Sequence, residues 1–182
     1  MYELRLIDKC INVDVYDMYQ DIPRHSVGYD NSLFGVSYEE YLKKMDYYVK
    51  NLHESFDEKF ECITNRYIFY VGNVPVGEAG IRMLKNDFYL NNASQIFYVI
   101  RESYRGKKLG YVLIDLILNE CKRLGFSEIY ANCDRENIGS NKLLSKHGSI
   151  VKTYKRNDGN ISNRYVIKLW LLEVLHETKY LW

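Results

Sequence analysis

Short segments along the chain alternate between hydrophobic and polar residues or are rich in β-branched and aromatic residues, and both patterns predict β-strands. Seven segments show them: residues 2–7, 66–71, 76–84, 94–100, 128–133, 149–155 and 164–172. The second and third segments are joined by the tight turn Gly72-Asn73-Val74-Pro75, which predicts a hairpin.

Apolar residues recur at helical spacing after the fourth strand. One face of this segment consists of Leu109, Val112, Leu113, Leu116 and Ile117. Gly125 is the expected end of the helix. Further helices are predicted over residues 10–21, 37–54 and 137–147, the second opened by a capping box of Ser37 and Glu40. Residues 25–35 are expected to form a loop and residues 87–92 an irregular connection.

The predicted order of elements, β-α-α-β-β-β-α-β-α-β-β, indicates a mixed α/β (α+β) chain and not a doubly wound sheet. We expect residues 1–182 to form a single domain, since 182 residues is a usual length for one. Its architecture is expected to be a central mixed, mostly antiparallel β-sheet flanked by helices.

The charge balance argues against a general attraction to polyanions. The chain has 25 Lys and Arg residues against 24 Asp and Glu residues, a formal net charge of +1. A nucleic-acid or anionic-membrane partner is therefore not expected, and any anion site must be local. No apolar run is long enough to span a membrane, and no signal peptide is recognisable.

The cysteines and histidines show no metal-site spacing. The four cysteines are scattered without a C-x-x-C pair, and the four histidines form no H-E-x-x-H motif. We expect reduced thiols, a cytoplasmic location and no bound metal.

The stretch SYRGKKLGYVLIDLIL, residues 103–118, places a cationic, glycine-containing turn directly before the apolar helix. Free backbone N–H groups at a helix start, together with the helix dipole, attract an anion. Arg105, Lys107 and Lys108 add positive charge where a helix ordinarily prefers acidic residues. The turn is thus either an anion site or a solvated basic turn. The spacings of a Walker A loop and of a dinucleotide-binding G-x-G-x-x-G motif are both absent.

The run from Phe97 to Gly148 resembles the core of the GNAT N-acetyltransferase superfamily, and in particular a bacterial branch of predicted acetyltransferases. Members of this superfamily transfer an acetyl group from acetyl-coenzyme A to an amine. Their phosphate loop, [QR]-x-x-G-x-[GA], corresponds here to Arg105–Gly110. The run CDRENIGSNKLLSKHGS resembles the segment that contacts the pantetheine arm.

The resemblance implies a GNAT-like domain in which the central strands splay apart to admit the pantetheine arm. It implies that acetyl-coenzyme A is the co-substrate. The cofactor-binding residues that it implies are Val99, Ile100, Arg105, Gly106, Lys107, Lys108, Leu109, Gly110, Tyr111, Asn137 and Ser140.

Two positions depart from the family's pattern. Lys108 occupies the place of the family's middle glycine, and a lysine there is expected to have an ordinary negative φ. Leu144 occupies the place where many members have a tyrosine that protonates the departing thiolate. The proton donor is therefore missing or comes from elsewhere.

The chemistry requires a base, because an alkylamine with a pKa of about 10 is almost entirely protonated at pH 7. Glu78, on an otherwise apolar strand, is the candidate base; the alternative is an exposed strand position. Tyr98 is the candidate donor to the thiolate; the alternative is a core tyrosine.

The acceptor amine is not identifiable from the sequence. The resemblance places its pocket near the first helices and the final strands. A cluster of four aromatic residues near these helices either lines a small pocket or forms the apolar face of an amphipathic segment. It consists of Tyr29, Phe34, Tyr38 and Tyr41.

The function expected is N-acetylation of a primary amine of a small molecule or peptide. The amine is expected to attack the thioester directly, in a ternary complex, and the protein is expected to be a monomer or a homodimer. One alternative is a non-catalytic acetyl-coenzyme A-binding regulator, because the usual tyrosine is Leu144. Another is a nucleic-acid-binding module, whose binding would fall steeply with salt. Its basic residues would be Arg105, Lys107, Lys108, Lys142 and Lys146.

Overall fold

The computed structural model describes residues 1–26, 28–52, 62–84 and 86–169. In these ranges the strands are β1 Tyr2–Leu6, β2 His25–Ser26, β3 Tyr29–Asp30, β4 Ile63–Val71, β5 Val74–Met83, β6 Ile96–Ile100, β7 Glu128–Asp134, β8 Ser149–Lys155 and β9 Ile161–Lys168. The α-helices are α1 Val13–Gln20, α2 Tyr38–Lys50, α3 Asp87–Asn92, α4 Leu109–Arg123 and α5 Ile138–His147. Short 3₁₀ helices cover Ile7–Lys9 and Glu102–Tyr104.

The strands form two antiparallel sheets and one small hairpin. The first sheet has the order β1-β4-β5-β6, the second has the order β7-β9-β8, and β2 pairs with β3. The sheets approach each other where β6 begins. There the N–H of Gln95 donates to the Tyr130 carbonyl at 2.8 Å, and the Gln95 side chain accepts from the Tyr130 N–H at 2.8 Å. Beyond this point β6 and β7 do not continue one ladder, which confirms the predicted mixed fold with splayed central strands.

Helices cover both faces of the first sheet. The apolar face of α4 packs into a core with β4, β5, β6, β7 and β9. On the opposite face, α1 and α2 pack with residues such as Ile68, Tyr70 and Val99. Both layers bury continuous apolar surface, which is the main favourable term in holding the sheet and helices together.

Local capping explains most helix boundaries. Ser37 accepts a hydrogen bond from the N–H of Glu40, so the predicted start of α2 is confirmed. Asn12 caps α1, which therefore starts at Val13 and not at residue 10. Helix α2 ends at Lys50, and residues 53 and 54 of the longer predicted helix lie outside the described residues.

Two connections contain more structure than the sequence pattern predicts. Residues 87–92 form the helix α3, whose first turn is capped by the Asn86 side chain, which accepts from the N–H of Phe88. The prediction of an irregular connection there was therefore wrong. Residues 25–35 include the hairpin of β2 and β3. The predicted last strand extended to residue 172, but residues 170–172 lie outside the described part of the chain.

All four cysteines are free and buried, as expected for reduced thiols. Within the described residues, no helix combines the length and the apolar character needed to cross a membrane.

Candidate active site

The turn between β6 and α4 presents a row of open backbone donors. Gly106 has a φ of +76° and Lys108 a φ of +60°. Among the described residues, the N–H groups of residues 106–110 have no hydrogen-bond partner. Within the described residues, no side-chain hydrogen bond caps the start of α4. The described part of the chain therefore offers no partner to these donors at the start of a 15-residue helix, whose dipole favours an anion there.

The conformation of Lys108 corrects the sequence prediction. Its left-handed φ contradicts the ordinary negative φ expected for a lysine. The physical reason is the turn itself: two left-handed residues, Gly106 and Lys108, turn the chain from the end of β6 into α4. Lysine at such a position costs about 1–2 kcal/mol relative to a right-handed conformation.

Asp21 fixes this turn to the end of α1. Its Oδ2 accepts from Arg101 Nε at 2.7 Å and from Ser103 Oγ at 2.5 Å, and its carbonyl accepts from the N–H of Glu102 at 3.0 Å. Burial raises the pKa of Asp21, but hydrogen bonds from Ser103 and Arg101 outweigh it and hold the pKa below its ordinary value. Sequence reasoning missed Asp21, since the contact joins residues about eighty positions apart.

A cavity of about 520 Å³ lies between this turn, the end of β6 and the start of α5. It is lined by ten of the eleven residues that the family resemblance implied for the cofactor, namely Val99, Ile100, Arg105, Gly106, Lys108, Leu109, Gly110, Tyr111, Asn137 and Ser140. A Cβ at Gly110 would stand 2.9 Å from Leu143 Cδ1, so a larger residue there would displace the Leu143 side chain, which lines the cavity. The eleventh residue, Lys107, instead holds its Nζ 4.4 Å from the centre of the Tyr104 ring.

The candidate acid Tyr98 lies between this cavity and a second one of about 370 Å³. Its hydroxyl is 2.5 Å from Ser140 Oγ, and either group can donate. Burial raises the pKa of Tyr98 to about 12, although the hydrogen bond with Ser140 opposes the shift. Tyr98 also packs against the core around α4, so the core interpretation describes part of its surroundings, while its role as a proton donor stays a prediction. Leu144, at the position of the usual family tyrosine, is buried and lines the second cavity.

The candidate base Glu78 is fully buried, so the alternative of an exposed strand position is wrong. Glu78 Oε1 accepts from Arg66 at 2.5 Å, and Oε2 accepts from the hydroxyl of Tyr29. The Arg66 guanidinium lies between the Tyr48 ring, at 3.9 Å, and the Phe97 ring, at 4.9 Å. Burial lowers the pKa of Arg66, but the charge of Glu78 outweighs it and holds the pKa above its ordinary value. Sequence reasoning missed Arg66, which lies on the neighbouring strand.

The four aromatic residues considered for an acceptor pocket separate into two groups. Tyr29 lines the 520 Å³ cavity. Tyr41 is fully buried in the core of α1 and α2, and Tyr38 stacks on it with ring centres 5.6 Å apart. Phe34 is exposed and lines neither the 520 Å³ cavity nor the 370 Å³ one. The amphipathic-face interpretation therefore describes Tyr38 and Tyr41, and of the four residues Tyr29 alone lines one of these two cavities.

The second cavity is lined by charged groups, among them Arg82, Asp134 and Arg156. Asp134 accepts from Arg156 at 2.8 Å and from Ser162 at 2.5 Å, and Asp158 also pairs with Arg156 at 2.9 Å. Arg82 donates to the Ser94 carbonyl at 2.9 Å. The sequence offered no signal for this group, because β5, β7 and the β8–β9 turn meet only in the folded chain.

Comparison of the fold with solved structures identifies similar proteins. An N-acetyltransferase from Staphylococcus aureus Mu50 is 17% identical, with a TM-score of 0.60 over 93% of this chain and 98% of that one. The yncA protein of Salmonella typhimurium, solved with its cofactor acetyl-CoA, is 13% identical, with a TM-score of 0.60 over 93% of each chain. The aminoglycoside acetyltransferase AAC(6')-Ib in complex with coenzyme A is 16% identical, with a TM-score of 0.64 over 95% of this chain and 98% of that one. A second structure of AAC(6')-Ib contains paromomycin and acetyl-CoA.

No curated protein sequence matches the chain significantly. The sequence model of the acetyltransferase (GNAT) family matches residues 15–148, which include most of α1, the turn before α4 and all of α5. That match spans 134 of the 182 residues, well over half the chain. The chain therefore belongs to the acetyltransferase (GNAT) family.

Proposed function

We propose that the protein is an N-acetyltransferase that transfers the acetyl group of acetyl-coenzyme A to a primary amine of a small molecule or peptide. The observation that carries this proposal is the row of open N–H groups at residues 106–110 beside the 520 Å³ cavity. Membership of the acetyltransferase (GNAT) family supports an acyltransferase. Acetyl-CoA in the yncA and AAC(6')-Ib structures supports the co-substrate.

Different parts of the cavity suit different parts of the coenzyme. The N–H groups of 106–110, with Arg105 and Lys108, suit its diphosphate, because oriented amides and nearby cations stabilise an anion at a helix start. The space between β6 and the start of α5 suits the pantetheine arm, with Asn137 and Ser140 on one side. The main chain at Val99 and Ile100 lines the same space and is the proposed donor to the thioester oxygen.

The reaction needs two proton movements. The amine must lose a proton, for which Glu78 is the proposed acceptor. The departing thiolate must gain one, for which Tyr98 is the proposed donor. At neutral pH Tyr98 holds its proton, because burial raises its pKa to about 12. Tyr98 thereby supplies the hydroxyl that position 144 lacks.

The acceptor is proposed to enter from the 370 Å³ cavity, which meets the coenzyme cavity at Tyr98, Asn137 and Ser140. The paromomycin complex of AAC(6')-Ib supports a small-molecule amine as the acceptor class. A cytoplasmic location, the absence of a metal and of a nucleic-acid partner, and a monomeric or homodimeric state stay predictions from the sequence.

The role of the turn is tested by reversing its charge. Arg105→Glu with Lys108→Glu is expected to weaken coenzyme A binding at least about 30-fold, because two attractive charges become repulsive beside a diphosphate. Isothermal titration calorimetry measures the binding, and circular dichroism checks that the fold is kept. Lys122→Glu with Arg123→Glu, at the other end of α4, is the matched control and should bind normally. Equal affinity of the turn variant and the control would remove the diphosphate site.

A non-catalytic coenzyme-binding regulator is the second candidate, and the buried leucine at position 144 favours it. The two candidates differ in thiol release. The enzyme releases coenzyme A thiol when acetyl-coenzyme A is mixed with a panel of primary amines, whereas the regulator binds acetyl-coenzyme A and releases none.

A further inference from the structure

The candidate base and the coenzyme cavity are separated by one side chain. Glu78 has 0% exposure, so its carboxylate makes no contact with a molecule in the cavity. Tyr29 lies between them: its hydroxyl donates to Glu78 Oε2, and its side chain lines the cavity together with Tyr98. Among the described residues that hydrogen-bond to the Glu78 carboxylate, Tyr29 is the one that lines this cavity, so its hydroxyl offers a route for a proton from the cavity to Glu78.

The direction of this hydrogen bond leaves Tyr29 able to accept another proton. A carboxylate only accepts hydrogen bonds, so the Tyr29 proton points at Glu78 and a lone pair on its oxygen remains free. Arg66 donates to the other carboxylate oxygen at 2.5 Å and so occupies the side of Glu78 that Tyr29 does not. Burial raises the pKa of Tyr29, and the charge of Glu78 raises it further, so Tyr29 keeps its proton at neutral pH.

The titratable and charged groups around Glu78 come from four elements. They are Tyr19 on α1, Tyr29 on β3, Tyr48 on α2 and Arg66 on β4. Tyr19 is fully buried, and within the described residues its hydroxyl has no hydrogen-bond partner. The hydroxyl of Tyr48 lies 3.0 Å from Ser32 Oγ. Of the three tyrosines, Tyr29 is thus the one that combines a hydrogen bond to Glu78 with a place on the cavity wall.

We propose that Tyr29 is a catalytic residue that accepts the proton of the acceptor amine and passes its own hydroxyl proton to Glu78; this rests on the proposed acetyl transfer. One N–H bond of the ammonium ion breaks, and the electron pair left on nitrogen forms the C–N bond. An O–H bond forms at Tyr29 with that proton, while the former Tyr29 O–H bond breaks and its proton binds Glu78 Oε2. The C–S bond breaks with its electron pair on sulfur, which takes the proton of Tyr98. A second N–H bond then breaks at the new amide nitrogen, and its proton restores Tyr98. The Glu78 proton returns to solvent through Tyr29 once the product has left.

A double-mutant cycle tests the relay. Wild type, Tyr29→Phe, Glu78→Gln and the double variant are assayed for thiol release with acetyl-coenzyme A and a panel of tyramine, spermidine, paromomycin and a lysine-containing peptide, from pH 6 to 9. Tyr29→Phe is expected to lower kcat about 100-fold, the usual size of an acid–base contribution. Glu78→Gln should have a similar effect. The double variant should be no slower than either, because two members of one relay do not act additively.

Three further readouts separate a relay from a structural role. Both single variants should move the rising limb of kcat to higher pH, since the amine must then lose its proton to solvent. Coenzyme A affinity should stay within about twofold, because the phenyl ring of Tyr29 is kept. Tyr19→Phe, beside the same carboxylate but without a hydrogen bond to it, should keep the wild-type kcat and pH profile.

Each outcome decides the proposal. If the losses in kcat from the two single variants add up in the double variant, the relay is overturned. The relay is also overturned if the wild type is active and Tyr29→Phe has the same kcat. Neither result contradicts the proposed acetyltransferase function. A wild type that binds acetyl-coenzyme A but releases thiol with none of the four amines overturns the acetyltransferase proposal and the relay with it. If Tyr29→Phe does not fold, the variant Tyr29→His replaces it in the test. Histidine is another proton acceptor, so this variant should retain at least a tenth of the wild-type kcat. A Tyr29→His variant that folds but is inactive would overturn the relay.

Discussion

Lys108 carries a conformational cost at the place where the coenzyme is proposed to bind. Among the described residues it is the one non-glycine residue with a positive φ. The conformation costs about 1–2 kcal/mol for a residue with a Cβ. The turn keeps a lysine despite this cost, which is consistent with a contribution of its ammonium group to anion binding.

Lys108→Gly is expected to raise stability, because glycine adopts a positive φ without a steric penalty. The gain is about 0.5–1 kcal/mol after the larger chain entropy of glycine is subtracted, or about 2 °C in Tm. Differential scanning calorimetry measures it. Lys108→Ala is the control: it removes the same charge but keeps the Cβ. Equal gains in both variants would show that repulsion with Arg105 and Lys107, and not backbone strain, destabilises the turn.

Residue identity alone indicated the candidate phosphate loop but not how the candidate catalytic groups are arranged. Arg105–Gly110 could be proposed because a glycine-containing cationic turn stands between a strand and a helix within one short stretch. Buried Glu78 has its partners in Arg66, across the β4–β5 pair, and in Tyr29, on the β2–β3 hairpin. Such partners are separated by 12 and 49 positions, so no local pattern reveals them.

At the scale of elements, periodicity predicted the long and regular parts of the chain. The apolar stripe of α4 and the alternation of β7 were sufficient, since each of these two elements buries one face against a large core. The six-residue helix α3 was missed, because it buries little and depends on the Asn86 cap more than on a repeated apolar pattern.

The connection between α1 and the turn before α4 gives a prediction about pH. Asp21 accepts from Arg101 and Ser103, and these bonds hold its pKa below the ordinary value. A carboxylate with a depressed folded-state pKa stabilises the fold above its unfolded pKa of about 3.9, and this contribution disappears as pH falls through the folded pKa. Asp21→Asn should therefore have a lower Tm than wild type at pH 7. The difference should shrink below about pH 4.

Thermal unfolding at pH 7, 5 and 3 checks this, with Asp17→Asn, one turn earlier on α1, as the control. Asp21→Asn should also increase hydrogen exchange at residues 102–105, because the loop loses its attachment to α1. A Tm difference that stays constant down to pH 3 would show that the ionised carboxylate is not what holds the loop.

At the scale of the whole molecule, the splayed sheets need a connection that leaves the cleft open. Arg164, on β9 of the second sheet, provides this connection, and its side chain is buried, with an exposed fraction of 5%. It donates to the carbonyls of Leu90 and, at 3.0 Å, Ala93 at the end of α3, and to Asn132 Oδ1 at 2.9 Å. These bonds join the second sheet to the segment that leads into β6, at the end where the sheets meet.

Arg164→Met is expected to lower the free energy of unfolding by about 3 kcal/mol, because it leaves buried carbonyl groups without donors while it keeps much of the side-chain volume. Urea denaturation measures the loss. Arg156→Met, whose partly exposed ion pairs with Asp134 and Asp158 contribute little, should lose less than about 1 kcal/mol. Because the cleft depends on how the sheets are held apart, Arg164→Met should also weaken coenzyme A binding although its side chain lines neither cavity described above. If stability falls while coenzyme affinity is unchanged, the geometry of the cleft is set by β6 and its loop and not by the connection between the sheets.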